Sequence, residues 1–293
     1  MPNSFYEMVW IFLIYAFLGW CTEVSYAALD TGKFVNRGFL NGPVCPVYGC
    51  GVLLVVLSLT PLKENLLILF LGSVVLTTSI ELVTGFLLEK IFHNQWWDYS
   101  NEPFNLCGYI CLKFSILWGL ACTFVMKVFH PLVLGLIRLV PHLVGLILLI
   151  VFAVAFVVDL VFTVLTILKF NRHLQMLEEA AGKLHDISDE IGENIYENVT
   201  TVMEKSEEFK EAHKETLDKL SEKREQLAGA RKRYKALLEK RTFGFNRLMQ
   251  AFPNMHSRDR NETLNRYREY FKTRIHQKGK SEETAETEQE RGE

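Results

Sequence analysis

Residues 143–168 read LVGLILLIVFAVAFVVDLVFTVLTIL, from Leu143 to Leu168, with Asp159 as the one ionisable side chain. An α-helix rises about 1.5 Å per residue, so this run is long enough to cross the ~30 Å hydrocarbon core of a bilayer. No water there satisfies backbone N–H and C=O groups, and a helix bonds them internally. Immediately beyond the run the composition inverts. Up to Phe170 the chain carries 8 Lys+Arg and 9 Asp+Glu, whereas the remaining 123 residues carry 24 and 25. A lipid-soluble half is joined to a charged one, which excludes a single soluble globular domain. The formal net charge of −2 offers no basic surface, so no nucleic-acid partner is expected. Met1–Glu7 has no basic residue ahead of its apolar run, so a secretory signal peptide is not expected.

Working back from this stretch, Met8–Leu29, Leu66–Leu88 and Cys107–Phe129 are also long and apolar enough to span. Pro43–Thr60 is shorter but opens with a helix-compatible proline and makes a fifth candidate. Pro131–His142, bracketed by Pro131 and Pro141, is too short to cross and reads as an interfacial or re-entrant segment. The expected fold is all-α: a polytopic helical membrane domain of about five transmembrane helices over 1–170, followed by a cytoplasmic coiled-coil-like tail. An odd number of spans puts the termini on opposite sides. Lys33, Arg37, Lys90, Lys169 and Arg172 collect on the C-terminal side, against Lys63, Lys127 and Arg138 on the other. The positive-inside rule then makes the C-terminus cytoplasmic and the N-terminus external in a multi-pass cell-membrane protein whose first partner is lipid.

In the tail, Leu174, Leu177, Ala181 and Leu184, then Ile191, Ile195 and Val202, step by threes and fours, with looser repeats to Leu237. This heptad-like seam over 171–251 fits an arm that forms a homo-oligomer or binds a partner helix; a mostly solvated charged helix is the alternative. Gly182, Gly192 and Gly229 allow bends or a hairpin. A short amphipathic helix is expected within 252–277, and 278–293, acidic and without aromatics, as a disordered tail.

Four ionisable residues fall inside the spans: Glu23, Glu81, Lys113 and Asp159. Each lies roughly 9–13 Å from the cytoplasmic end of its helix by helical rise. A charge at the bilayer centre costs about 2.5–3.5 kcal/mol on insertion scales, so such groups turn inward and seek partners. One lysine does not balance three carboxylates. Two readings fit: a functional polar pocket completed by a proton or cationic ligand, or a structural lock in which Lys113 pairs with one acid.

Two connections carry unusual chemistry. Arg37-Gly-Phe-Leu-Asn41-Gly-Pro43-Val-Cys-Pro-Val-Tyr48-Gly49 combines three glycines, two prolines and an asparagine, which permits tight backbone turns at the membrane surface. Trp96-Trp97-Asp98-Tyr99-Ser100 precedes Pro103-Phe-Asn105-Leu-Cys107-Gly108. Tandem tryptophans with a tyrosine are common at a membrane interface, but a belt does not need Asp98 and Asn105 among them. Those two are expected to fix a loop or to contact a polar group.

Asn41-Gly-Pro43-x-Cys45-Pro46-x-Tyr48-Gly49, Glu81-x-x-Thr84-Gly85, Trp96-Trp97-Asp98-Tyr99 and Asn105-x-x-Gly108-x-Ile110-Cys111-Leu112-x-x-Ser115 together resemble the Putative ABC-transporter type IV family of bacterial integral membrane proteins. The resemblance covers about Leu13 to Pro131 and implies a multi-span inner-membrane permease-like protein. It implies no substrate, and it leaves the fifth span and the tail as additions. The chain has no G-x-x-x-x-G-K-[ST] phosphate loop, so an ATPase would be a separate subunit.

No nucleophile elbow, paired metal-binding histidines or nucleotide fingerprint points to an enzyme, and neither cofactor nor metal is expected. All six cysteines lie in the membrane half, where small packing residues are the default. The leading expectation is a permease-like transport subunit. The alternatives are a membrane-anchored interaction module working through its coiled coil, and a membrane enzyme acting on a lipid-linked substrate through Glu23, Glu81, Asp98 and Asn41.

Overall fold

The computed structural model describes residues 2, 4–204, 209–240 and 243–273, with side chains described outside 193–220 and 243. Helix α1 runs Phe5–Thr31, started by the Ser4 hydroxyl accepting from the Glu7 amide at 3.3 Å. It stops where Gly32 turns into the left-handed region at φ 68°, its amide bonding the Ala28 carbonyl. Helix α2, Pro46–Leu59, ends in a 3₁₀ turn over Thr60–Leu62. Helix α3 spans Leu66–Phe92; the Asn65 side chain accepts from the Leu67 and Ile68 amides at 3.1 Å each and supplies its N-cap.

The next helix corrects the expected end of the fourth span. Instead of stopping at Phe129, α4 (Leu112–Phe124) passes through a π-helical turn (Val125–Phe129) into α5 (His130–Leu139), one continuous helix Leu112–Leu139. Pro131 lacks an N–H and its ring crowds the carbonyl four residues earlier, which would end a regular helix. The wider turn, closed by the His130 amide on the Val125 carbonyl, absorbs the proline instead. The segment after Pro131 is therefore a continuation of the span, and no separate re-entrant piece exists there. The span also begins later than expected, because Asn105–Leu106 (β1) and Ile110–Cys111 (β2) form a hairpin ahead of it. Three residues, Cys107–Tyr109, connect the strands; Cys107 (φ 53°) and Gly108 (φ 72°) are both left-handed, and the Tyr109 amide donates to the Leu106 carbonyl at 3.1 Å to close the turn. Helix α6 then runs His142–Glu204 and α7 Phe209–Glu239.

Among the described residues, four helices are long and apolar enough to cross a membrane: Phe5–Thr31, Leu66–Phe92, Leu112–Leu139 and His142–Gly192. Pro46–Leu62 is apolar but shorter. Large apolar side chains such as Leu67, Val75, Val83, Phe86, Val157 and Phe162 face outward, as lipid-covered helices do. Between α1 and α2 the backbones approach closely: a Cβ at Gly49 would meet the Phe12 carbonyl oxygen at 2.5 Å, and one at Gly19 would overlap the Tyr48 side chain. Gly119 of α4 lies in the same way against Val74 of α3. With no hydrophobic force between helices in lipid, such small-residue contacts and buried polar bonds hold the bundle. At the opposite end from the hairpin, Arg138 Nε bonds Glu7 Oε1 at 3.1 Å and ties α5 to α1.

The described parts of the chain divide into two compact units, Met1–Leu168 with Phe243–Asp259, and Lys169–Thr242 with Arg260–Glu293. The first therefore includes a late helix, α8 (Phe243–Ala251), and a short strand β3 at His256–Ser257. This strand pairs antiparallel with Asn94–Gln95, and the Arg258 amide donates to the His93 carbonyl at 2.9 Å. In the second unit, Tyr267 of helix 261–273 sets its ring against Phe170 (6.2 Å) and His173 (5.6 Å) of α6, Leu174, Leu177 and Leu264 are buried, and Arg260 Nε lies 2.8 Å from Glu178. Lys223 of α7 pairs with Glu190 of α6, and the His173 ring lies close to the Leu237 backbone, so these parts of α6 and α7 run antiparallel. The seam between 193 and 220 and the acidic stretch 278–293 lie outside the described residues or side chains.

Candidate functional site

The loop after α1 is held from both sides of its backbone. Asp159 of α6 accepts from the amides of Asn41 (3.1 Å) and Gly42 (2.7 Å) and from the Asn41 side chain (2.9 Å), which also donates to Thr163 at 2.9 Å. From α8, the Arg247 guanidinium donates to three successive carbonyls, those of Gly38 (2.8 Å), Phe39 (2.9 Å) and Leu40 (3.0 Å). Asn36 completes the frame, accepting from the Trp20 indole at 2.8 Å and donating to the Asn41 carbonyl at 2.7 Å. Burial lowers the Arg247 pKa from its ordinary value, countered by the charge of Asp159, yet guanidinium basicity is great enough that the group stays charged.

The second loop is fixed by the residues its composition singled out. Partial burial pulls the Asp98 carboxyl up, but bonds from the Ser100 hydroxyl (2.5 Å) and amide (2.8 Å), with His256 at 4.0 Å, outweigh it and hold the group below the usual carboxylate range. Asn105 donates to the carbonyls of Ser100 (3.2 Å) and Glu102 (2.8 Å), and the Trp97 indole to that of Tyr109 (2.8 Å). Trp96 is buried among Phe39, Phe92 and Phe252, the last at 4.8 Å between ring centroids. Burial and the bond to Glu89 push the Tyr109 phenol up to about 12.

Beneath these loops the four in-span ionisable residues separate. Glu23 of α1 accepts from the Tyr48 hydroxyl at 2.5 Å and has Arg37 Nε at 3.6 Å, while Arg37 also lies over the Tyr26 ring at 5.5 Å. Glu81 of α3 accepts from the Tyr99 hydroxyl at 3.2 Å and is hydrogen-bonded by Trp118. The Trp118 ring stands edge-on to Tyr48 at 5.5 Å, and Tyr99 stacks on Phe114 at 4.8 Å. The two carboxylates are thus neighbours across a wall of aromatic rings, and the charge of Glu23 acts on Glu81. Glu81 Oε2 is buried with no hydrogen-bond partner among the described residues. Burial, reinforced by the charge of Glu81, raises the Tyr99 phenol well above its usual range, so it remains a donor. Asp159 is engaged with the first loop as described. Lys113 is not brought to these acids: its Nζ is 3.1 Å from Glu102, at the exposed edge of the hairpin. Pro43 is exposed and contributes the turn before α2.

Reading the sequence missed Arg247, Trp118, Asn36 and Glu102. A tryptophan one turn from Ser115 in an apolar helix was a visible signal for Trp118. Arg247 sits in a highly charged tail, and nothing local distinguishes it. Among the described residues no group of three or more His, Cys, Asp or Glu is placed to hold a metal ion.

The sequence profile of the family described as Putative ABC-transporter type IV matches residues 10–164, more than half of the chain. The chain belongs to this family. The match runs beyond Pro131, so the last apolar span is part of the family's region and Asp159 lies within it, which corrects the expectation that this span was an addition. Every residue of the two loops and of the Glu23–Glu81 cluster lies in the ABC-transporter type IV region, whereas Arg247 does not. No curated protein and no solved structure matches the chain.

Proposed function

We propose that the protein is the permease-like membrane subunit of a transport system whose ATPase is a separate chain. One observation carries this reading: Glu23 and Glu81, on different helices of an apolar bundle, face each other through Tyr48, Trp118 and Tyr99, with one carboxylate oxygen left unpartnered. Charge placed in hydrocarbon is expensive and persists where it lines a path or a site. Pro46–Leu62, about 27 Å long by helical rise, serves as the fifth crossing, so that both motif loops and the charged tail share the cytoplasmic side. The family name favours an ATP-driven partner, and the ordered loops at 36–42 and 93–111 offer a rigid surface to such a subunit. The tail from 171 to 251 acts as a coiled-coil-like arm toward that partner or a second copy.

The test is purification of the intact protein from its membrane in mild detergent, followed by identification of what accompanies it and assay of ATP hydrolysis. The expected result is a co-purifying ATPase whose rate falls in the Glu23→Gln, Glu81→Gln double variant while the complex stays assembled. A complex that hydrolyses no ATP, or hydrolyses it equally with both acids removed, would sink the reading.

A further inference from the structure

Glu81 carries its charge among neutral donors. Its Oε1 accepts from the Tyr99 hydroxyl at 3.2 Å, the Trp118 indole adds a second bond, and Oε2 is buried with no partner among the described residues. Arg37, 3.6 Å from Glu23, is the one cation paired with either acid among the described residues. Two carboxylates against one guanidinium leave the cluster short of one positive charge, in a bundle where unbalanced charge is expensive. Asp159 shows the other solution. Its two oxygens take the amides of Asn41 and Gly42 and the Asn41 side chain, and it needs nothing from outside.

The groups around the unpartnered oxygen are rings. Tyr48, bonded to Glu23 at 2.5 Å, and Trp118, bonded to Glu81, meet at 84° with centroids 5.5 Å apart, as two walls of a corner that joins the acids. Tyr99 adds a third wall, stacked on Phe114 at 4.8 Å, and the Lys113 ammonium lies 5.3 Å from the Phe114 centroid, so this stack already attracts one cation. Ring faces favour cations, tryptophan most of all, and they suit a diffuse organic charge. A hard metal ion instead asks for about six or more oxygen ligands. The oxygen left over on Glu81 is an acceptor, and only a cation that still bears N–H satisfies it.

We propose that the Glu23–Glu81 cluster binds a protonated amine with an apolar body, its N–H donated to Glu81 Oε2 and its body held against Trp118, Tyr48 and Tyr99. A charge-assisted hydrogen bond is roughly twice as strong as a neutral one, so the ammonium displaces the Trp118 donor and the indole swings aside to admit it. No covalent bond changes. That the amine is cargo rests on the permease reading given above; that it binds does not.

Isothermal titration calorimetry of the full-length chain in mild detergent tests this, with phenethylamine as the probe and phenethyltrimethylammonium and sodium chloride as comparators. The expected result is saturable binding of one phenethylamine per chain, and binding about tenfold weaker for the quaternary analogue, which cannot donate to Oε2. Glu81→Gln should abolish the isotherm, and Trp118→Leu should weaken it roughly fivefold. If Glu81→Gln fails to fold, as judged by gel filtration and circular dichroism, Glu23→Gln replaces it. That change removes the charge imbalance without touching Oε2, and most of the binding should be lost. Heats that never saturate overturn the proposal, as does a saturable phase unchanged by the loss of either acid. A quaternary analogue that binds as tightly as the amine overturns it too, and so does a sodium isotherm lost in Glu81→Gln where no amine isotherm exists. A co-purifying ATPase that responds to the two acids, in a protein that binds no amine, refutes the amine and leaves the permease reading intact. Amine binding without any ATPase does the reverse.

Discussion

Arg247 shows how one side chain secures a loop that has no secondary structure of its own. Its guanidinium meets three consecutive carbonyls, a fit that needs several fixed donors at once. A lysine offers a point charge and cannot span them. Arg247→Lys should therefore lose most of what Arg247→Ala loses, about 2–4 kcal/mol for a buried charged donor leaving carbonyls unpaired. Thermal unfolding in detergent measures it; a lysine variant as stable as the wild type would reject the three-carbonyl account. Asp159 works on the same loop with the opposite polarity, taking two amides and an amide side chain. Asp159→Asn turns an acceptor into an N–H₂ facing a donor, and a cost of about 1–3 kcal/mol is expected, read by the same melt. None of this was legible from the sequence. Asp159 stood out as a charge in an apolar run, but its partners lie 117 and 118 residues away. Arg247 reaches back 207 to 209 residues from a segment whose pattern suggests a coiled-coil-like arm or a solvated helix, not a clamp on a distant loop.

Helices and hairpins were easier to read than their ends. Runs of apolar residues located α1, α3 and α6, because in lipid the length of such a run is the fold signal. Pro131 misled for a physical reason: it terminates an α-helix by the ordinary rule, and nothing in the sequence announces that a π-turn will accommodate it. Lys113, placed by count among the buried acids, instead bonds Glu102 because the hairpin turns at Cys107–Gly108 and brings the loop back beside the start of α4. That hairpin carries a pH dependence. Asp98 titrates below its ordinary range, so its contribution is present above the unfolded pKa and is lost as pH falls through the folded one, below about pH 4. Ser100→Ala removes the hydroxyl bond and should move the acid loss upward in pH, which tryptophan fluorescence of Trp96 and Trp97 follows; an unshifted transition would assign it elsewhere. Helix contact makes a second test. Gly49→Val drives a side chain into the Phe12 carbonyl, and overpacking of about 1–3 kcal/mol should lower the melting temperature, whereas valine at Gly51, which has open space, should not.

At the scale of the whole chain, the membrane unit is discontinuous: its two motif loops are finished by Phe243–Asp259, which arrives after two long helices. This changes the meaning of a truncation. A chain ending at Phe170 loses the charged tail, but it also loses the Arg247 donors, the Phe252 ring against Trp96 and the strand paired with Asn94–Gln95. Loss of function in that chain therefore does not by itself make the tail an interaction module. Limited proteolysis separates the two causes. The truncated chain should be cut within 32–45 and 93–106, where the intact protein resists, because the unpaired loop backbone opens locally at little cost. The full-length Arg247→Ala variant should show the cuts within 32–45 while retaining every residue of the tail. If that variant is as resistant as the wild type and the truncated chain is resistant too, the late segment merely rests on loops that are rigid without it, and the tail's role lies in what it binds.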